Sequence, residues 1–253
     1  MRIYENLAYK KTGYSYHYLD LYLPDGECST LVLYFHGGGF IEGSRRDVTA
    51  EHPFVRDMVE AGIGVASADY ILYPDARFPD YIEDGAAAVK FVTNELGEYV
   101  RYDKLILVGT SAGAYITQLL CFDKQYLEAV GVAHDSITAY VHDAGQSTVH
   151  FNVLRERGYN HRRIIVDKAA PIYHVGLEKS YPPMLLIVSD NDIPNRLEQT
   201  ELLVGTLRSF GYDMSKVQLT KTSGTHVWYV NKTDENGKSV YANLIIPFIK
   251  SVI

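Results

Sequence analysis

Residues 105–120 read LILVGTSAGAYITQLL, and this stretch decides the fold. The short apolar run before Gly109 is typical of a buried strand, and the apolar residues after Gly113 favour a helix. Residues 109–113 between them form a GxSxG motif with Ser111 at its centre. A serine nucleophile at such a turn needs strained backbone angles, and the flanking glycines leave room for neighbouring chain. An ordinary tight turn with an exposed serine is the alternative, but the flanking strand and helix favour a nucleophile.

Short apolar runs alternate with stretches of helical period along the chain, as the βαβ units of a parallel sheet require. The predicted strands are residues 31–35, 63–68, 105–108, 184–188 and 217–219, and the predicted helices are residues 79–96, 112–122, 196–210 and 241–252. No repeat or linker divides the 253 residues, so we predict one α/β domain over residues 1–253. The alternation is lost between His134 and Tyr181, which predicts a cap or lid insertion at about residues 135–182.

A glycine-rich stretch, HGGGF at residues 36–40, follows the first of these predicted strands. Successive glycines let backbone N–H groups turn toward one point, where they can hold an oxyanion at hydrogen-bond distance. This chemistry favours the N–H groups of Gly38 and Gly39 over the side chain of His36. A flexible loop or a phosphate-binding turn is the alternative. However, no GxGxxG or GxxxxGK[ST] pattern occurs here, which argues against nucleotide binding.

The general base and its acid partner are expected on later loops at the same sheet edge as Ser111. His226, in the sequence SGTHVW, follows the last predicted strand and meets the requirement for a base. Asp190 and Asp192 compete for the acid role. Asp192 lies further out on its loop, where a carboxylate can reach His226, while Asp190 is suited to capping the turn. Asp167 is a third candidate, and helix capping is the alternative role for each aspartate.

Other histidines and the cysteines predict no metal site. His134, His142 and His150 are spaced eight residues apart, which does not align three ligands on one helix, and no HExxH motif accompanies them. We interpret them as ordinary cap or surface histidines. Cys28 and Cys121 lack CxxC spacing, which argues against a disulfide framework or a cysteine-rich zinc site. No cofactor is predicted.

The formal net charge of -7 provides no general attraction to nucleic acid or to an anionic membrane surface. No apolar run approaches the roughly 20 residues that span a bilayer. The N-terminal residues also lack the apolar stretch and cleavage site of a secretory signal. We therefore expect a cytoplasmic protein, or an exported one from which a signal peptide has been removed. The sequence does not specify the oligomeric state.

Four motifs occur in the order that is characteristic of the α/β-hydrolase superfamily. They are HGGGF at 36–40, GTSAG at 109–113, SDNDIP at 189–194 and GTH at 224–226. From about Tyr16 to its C-terminus the chain resembles the esterase/lipase group with the HGGG oxyanion motif, the hormone-sensitive-lipase-like carboxylesterases. The segment ADYILYPDARFPDYIEDGAAAVKFV, residues 68–92, is also similar to this group.

The resemblance implies an α/β-hydrolase fold, with a mostly parallel central sheet flanked by helices. It implies that Ser111 is the nucleophile, His226 the base and Asp192 the acid. Asp192 falls at the aspartate of the group's GxxDxxP pattern, with Ser189 in place of the glycine and Pro194 one residue before the pattern's proline. The resemblance also implies an oxyanion hole formed by the N–H groups of Gly38, Gly39 and Ala112.

These residues predict a serine hydrolase, a carboxylesterase that cleaves short-chain acyl esters of small molecules through an acyl-enzyme. The 21 tyrosines could stack on sugars or aromatic acids, so acylated carbohydrates are candidate substrates. The substrate-binding residues are not specified. An amidase or peptidase, including a kynurenine-formamidase-like hydrolase, would share the same triad and is the alternative. A non-catalytic binding protein of the same fold is the remaining hypothesis.

Overall fold

The computed structural model describes residues 1–253 and contains one eight-stranded sheet in the order β1-β2-β4-β3-β5-β6-β7-β8. The strands are β1 (Arg2–Ala8), β2 (Tyr18–Leu23), β3 (Thr30–Phe35), β4 (Ile63–Ala68), β5 (Lys104–Thr110), β6 (Ala139–Asp143), β7 (Met184–Asn191) and β8 (Val217–Thr225). Strands β3 to β8 run parallel, while β1 and β2 form an antiparallel edge beside β4. The carboxyl ends of the parallel strands therefore meet at one edge of the sheet.

Helices cover both faces of this sheet. They are α1 (Pro53–Glu60), α2 (Asp80–Asn94), α3 (Ala112–Phe122), α4 (Gln125–Ala129), α5 (Phe151–Glu156), α6 (Arg196–Ser209) and α7 (Val240–Val252). Residues of α1 and α7 belong to the core on one face, and residues of α2, α3 and α6 belong to the core on the other. None of the helices combines the length and the apolar character that crossing a bilayer requires.

Strand β5 shows why two cores form. Leu105 and Leu107 face the core beneath α2 and α3, whereas Ile106 and Val108 face the core beneath α1 and α7. Successive side chains of a strand point to opposite faces, so a strand buried on both faces must be apolar throughout. The continuous run LILV meets this requirement.

The predicted architecture, a mostly parallel sheet flanked by helices, is confirmed. Every predicted strand and helix is present, with bounds that differ by a few residues. For example, α2 ends at Asn94, and Gly97 lies in a short 3-10 turn beyond it. The prediction missed β1, β2 and β6, together with the short helices α1, α4 and α5.

Strand β6 lies inside the predicted cap, so the cap prediction is wrong for residues 139–143. This strand pairs with β5 and β7 in the middle of the sheet. The sequence does not show this strand as a continuous apolar run, because His142 and Asp143 are polar although both are buried. Residues 144–183 add no strand to the sheet and contain α5 and a 3-10 turn. Apart from β6, the cap at about residues 135–182 stays a prediction.

Candidate active site

Ser111 lies at the sharp turn from β5 into α3, with φ of 54° and ψ of -108°. The left-handed region is costly for a residue other than glycine, and such strain is concentrated at functional sites. The turn is held by a hydrogen bond from the Ser111 backbone N–H to the carbonyl oxygen of Asp143, at 2.7 Å. The chain is also tightly packed, because a Cβ at Gly113 would lie 2.1 Å from the carbonyl oxygen of Phe35. Only glycine fits at that position.

His226 follows β8 and connects Ser111 to Asp192. Its Nε2 lies 2.9 Å from Ser111 Oγ, and its Nδ1 lies 2.6 Å from Asp192 Oδ1. The Asp192 side chain is 1% exposed, and its Oδ1 also accepts a hydrogen bond from the Ile193 backbone N–H at 2.7 Å. In this arrangement the imidazole can take a proton from the serine while the carboxylate orients the ring.

The environment of Asp192 keeps its carboxylate ionised. Burial by itself would raise the pKa of Asp192, because a low-dielectric surrounding disfavours charge. The hydrogen bond from His226 and the charge of that ring act in the opposite direction, with help from the Ile193 N–H. These contacts hold the pKa of Asp192 below its usual value. An ionised carboxylate is the form that stabilises an imidazolium.

The two other candidate acids do not contact His226. Asp190 accepts hydrogen bonds from Ser223 Oγ at 2.8 Å and from the Gly224 backbone N–H at 2.9 Å. It therefore joins the end of β7 to the end of β8. Asp167 instead pairs with Arg157 at 2.8 Å. Of the three aspartates, the structure brings only Asp192 to the histidine.

Residues 36–40 lie directly beside the serine, and we call them the oxyanion loop. A Cβ at Gly37 would lie 3.4 Å from Ser111 Cβ. Gly38 has φ of +98°, and a Cβ there would lie 2.0 Å from the carbonyl oxygen of Glu42, so this position requires glycine. The backbone N–H groups of Gly38 and Gly39 donate to no carbonyl oxygen of the protein.

Ala112 is the first residue of α3, where no intrahelical carbonyl is available to its N–H group. The positive end of the helix dipole lies at the same place. Together with the oxyanion loop, this end of α3 offers N–H donors to a negatively charged oxygen next to Ser111. These groups are the candidate oxyanion hole.

Two residues that the sequence reasoning missed hold the oxyanion loop. Tyr70 donates from its hydroxyl to the carbonyl oxygens of His36, at 2.9 Å, and Gly37, at 3.1 Å. Its ring also stacks on that of His36, with centroids 4.3 Å apart. Asn152 Nδ2 donates to the carbonyl oxygen of Gly39. Tyr70 lies in the segment 68–92 that resembles the esterase group, whereas nothing in the sequence around Asn152 indicates its contact.

Asp143 is a further residue that the sequence reasoning missed. It is a buried acid beneath the turn of Ser111. Its side chain is fully buried and accepts a hydrogen bond from the Tyr229 hydroxyl. Next to it, the Thr110 and Tyr241 hydroxyls lie 2.8 Å apart. Burial raises the pKa of Asp143 to about 7, against the opposing hydrogen bonds of these hydroxyl groups. The network supports the strand ends on which the serine turn rests.

The three evenly spaced histidines occupy separate structural positions. His134 Nε2 hydrogen-bonds to the carbonyl oxygen of Cys121 at 2.8 Å, and His150 caps the N-terminus of α5. His142 Nδ1 lies 2.9 Å from Thr117 Oγ1, and burial lowers the pKa of His142 to about 3. No group of three or more histidine, cysteine, aspartate or glutamate side chains is arranged to hold a metal ion.

Backbone strain is concentrated around this site. Six residues other than glycine have a positive φ, and five of them lie in or next to parts of the candidate site. These parts are the oxyanion loop, the serine turn, the end of β6, the acid loop (residues 189–194) and the loop that carries His226. The five residues are Phe40, Ser111, Ala144, Asn195 and Val227. Such strain persists only where the surrounding contacts impose it, and it commonly marks a functional site.

A family model described as BD-FAE matches residues 19–154, which is more than half of the chain. The chain belongs to the BD-FAE family. The BD-FAE match includes the oxyanion loop and Ser111, whereas Asp192 and His226 lie beyond it. The resemblance to an esterase family with the α/β-hydrolase fold is thereby confirmed.

Curated relatives match a shorter part of this chain than the BD-FAE family model does. Probable carboxylesterase 2 of Arabidopsis thaliana is 34% identical over 117 residues, which are 44% of this chain and 37% of the relative. Acetyl esterase of Salmonella schwarzengrund is 33% identical over 98 residues, which are 38% of this chain and 29% of the relative. The chain thus spans about a third of the length of these relatives.

Solved esterase structures match nearly the whole BD-FAE chain. A truncated form of a carbohydrate esterase from gut microbiota has a TM-score of 0.77 at 18% identity, covering 99% of this chain and 96% of that one. Esterase B from Lactobacillus rhamnosis has a TM-score of 0.76 at 20% identity, and the match covers 99% of this chain and 87% of that one. At these identities the likeness shows the fold, which is that of the α/β-hydrolases.

Proposed function

We propose that the protein is a serine-dependent carboxylic ester hydrolase that acts on short-chain acyl esters, including acylated carbohydrates, through an acyl-enzyme. The observation that carries this proposal is the continuous hydrogen-bonded chain from Ser111 through His226 to Asp192, with distances of 2.9 and 2.6 Å. The small-molecule ester is the proposed partner, and the mechanism requires no cofactor.

In the proposed mechanism, Ser111 Oγ attacks the ester carbonyl carbon while His226 Nε2 takes the serine proton. The N–H groups of Gly38, Gly39 and Ala112 stabilise the negative oxygen that forms. His226 then gives its proton to the leaving alkoxide, so an alcohol departs and an acyl-serine remains. Water attacks this acyl group with His226 again as the base, which releases the acid and restores Ser111.

Asp192 serves this mechanism by orienting His226 and by stabilising the imidazolium that appears in both steps. The proposed oxyanion donors lie beside a nucleophile that is mostly buried, since Ser111 is 8% exposed. In a buried site, preorganised donors stabilise developing charge more strongly than they do in water.

The known proteins support an esterase over the amidase alternative. The curated relatives described above are a carboxylesterase and an acetyl esterase. The proposal of short acyl chains is supported by the cavity that adjoins the acid loop, because polar and charged residues form most of its lining. A long hydrocarbon chain gains free energy only where it meets apolar surface.

The test is hydrolysis of p-nitrophenyl esters from acetate to decanoate by the wild type and by Ser111→Ala. We expect turnover that is greatest for short esters and that falls by about four orders of magnitude or more in the variant. Ser209→Ala, at an exposed serine of α6, is the matched control and should retain wild-type turnover. Near-normal turnover by Ser111→Ala would refute the proposed nucleophile.

A further inference from the structure

A cavity of about 440 Å³ lies between α5, the segment that follows it and the start of α6. This volume is within the usual range of about 300–1,000 Å³ for small-molecule sites. No aspartate or glutamate lines the cavity. Its lining includes five basic side chains, Arg155, His161, Arg162, Arg163 and Arg196. We call it the arginine cavity.

The arginine cavity adjoins both halves of the candidate active site. Ile193 lines it, and the backbone N–H of this residue donates to Asp192 Oδ1 at 2.7 Å. Phe151 also lines it, and a Cβ at Gly39 of the oxyanion loop would lie 3.6 Å from the Phe151 ring. The cavity therefore borders two residues, Ile193 and Phe151, that lie against the candidate acid and the oxyanion loop.

The arginines of this cavity have no carboxylate partners in the protein. Ion pairs of arginine in the structure are those of Arg45, Arg56 and Arg157, all outside the cavity. Arg155 instead donates to Asn152 Oδ1 at 2.7 Å and packs over the Phe151 ring. Four arginines thus line one space, and none of them forms a direct ion pair with a carboxylate of the protein.

Arg196 is the most informative of them because it is 2% exposed. Its guanidinium donates a single hydrogen bond, to the carbonyl oxygen of Ala144, and forms no ion pair. Burial lowers the pKa of Arg196 to about 10, against the opposing charge of Asp192. The group is therefore still a cation at neutral pH. A buried cation without a direct partner is unfavourable, and an anion placed beside it offsets that cost.

The charge of the cavity is opposite to that of the protein. The chain carries a formal net charge of -7, so general attraction does not draw anions to its surface. A cleft lined by one sign of charge focuses the field locally and raises the concentration of the complementary ligand. Guanidinium groups present planar pairs of N–H donors that match the two oxygens of a carboxylate or of a similar oxyanion.

We propose that the arginine cavity binds an anionic group, a carboxylate or a comparable oxyanion, that is carried by the ester substrate. This inference rests on the proposed esterase function and specifies its substrate class as acidic esters. Specificity would then come from the charge of the substrate, and the triad would supply the bond cleavage.

The experiment compares each acidic ester with its neutral methyl ester. Mono-4-nitrophenyl adipate and 4-nitrophenyl methyl adipate test an anion on the acyl side, and 4-acetoxybenzoate and methyl 4-acetoxybenzoate test one on the alcohol side. We expect the wild type to prefer the acidic member of at least one pair in kcat/KM. The ratio of acidic to neutral kcat/KM should fall about tenfold in the double variant Arg162→Gln/Arg163→Gln.

Arg157→Gln is the matched control, since this arginine is exposed, pairs with Asp167 and lies outside the cavity. It should keep the wild-type ratio. A wild type that hydrolyses both pairs without preferring the acid would overturn the arginine cavity as a substrate site while the esterase function stands. If neither these esters nor the p-nitrophenyl esters from acetate to decanoate are hydrolysed, the esterase function fails. If these acidic and neutral esters are not hydrolysed, calorimetric titration with adipate tests the cavity alone. Adipate binding that weakens in the double variant supports the cavity, and absence of binding overturns it.

Discussion

Asp190 and Asp192 are separated by a single residue, yet their side chains serve different parts of the molecule. The pairing of β7 with β8 shifts register between Ser189 and Asn191. Asp190 remains with the strands and accepts hydrogen bonds from the end of β8, whereas Asp192 turns inward to His226. At the residue scale, a local irregularity of one strand assigns one acid to structure and the other to the candidate triad.

This assignment predicts different losses of activity for the two amide variants. Asp192→Asn removes the charge that stabilises the imidazolium and should reduce kcat by up to about 10⁴-fold. Asp190→Asn keeps an oxygen that can accept the Gly224 N–H bond, so we expect a loss of less than about tenfold. Steady-state kinetics on p-nitrophenyl acetate measures both. A larger loss in the Asp190 variant would contradict the assignment of Asp192.

At the element scale, helix α5 connects structures that are far apart in the sequence. Its first residue, Phe151, lines the arginine cavity, and the next, Asn152, donates to the carbonyl oxygen of Gly39. His150 caps the helix by accepting from the Asn152 backbone N–H at 3.2 Å. The segment 144–183 therefore reaches the oxyanion loop through one short helix, which gives the predicted cap a direct contact with the site.

We expect Asn152 to act as a positioning residue for the oxyanion loop. Asn152→Leu removes the donor to Gly39 and should lower kcat about tenfold with little change in KM, because the proposed role of the loop N–H groups is to stabilise the transition state. The control is Asn94→Leu, at an exposed position at the end of α2. An unchanged kcat, or an increase in KM alone, would show that Asn152 does not position the loop for catalysis.

At the scale of the whole molecule, Asp143 links the candidate site to the stability of the fold. The unfolded carboxyl has its ordinary pKa of 3.8, whereas burial raises the pKa of folded Asp143 to about 7. Between these values the folded protein holds a proton that the unfolded chain has released. The contribution of this group is therefore fully present below pH 3.8 and is lost as pH rises through about 7.

Asp143→Asn should remove this dependence, because an amide keeps both the neutral state and an acceptor for Tyr229. We expect the unfolding free energy of the wild type to fall relative to that of the variant as pH rises from 3.8 to about 7. The slope should be at most about 1.4 kcal/mol per pH unit. Urea denaturation over this pH range measures the difference, with the exposed Asp135→Asn as control. If the unfolding free energies of the wild type and of Asp143→Asn changed with pH in the same way, Asp143 would not be a neutral buried acid.

Much of the molecule could be predicted from local patterns. The parallel strands were recognisable because residues buried on both faces of a sheet must be continuously apolar, as in LILV before Ser111. The serine turn and the oxyanion loop were recognisable because close backbone approach and positive φ require glycine, and both leave short motifs in the sequence. Edge strand β1 was missed because its residues are half-buried or exposed, and β6 was missed because two of its buried residues are polar.

The sequence by itself determined the fold class and singled out Ser111 and His226 as the candidate nucleophile and base, because these predictions depend on residues that are adjacent in the chain. The sequence favoured Asp192 over Asp190, and the tertiary structure shows the contact of Asp192 with His226. Only tertiary structure placed Asn152 against Gly39, 113 residues away. It also gathered arginines from two separate segments around one cavity. Contacts between distant segments depend on how the whole chain packs. The local sequence around each segment does not predict them.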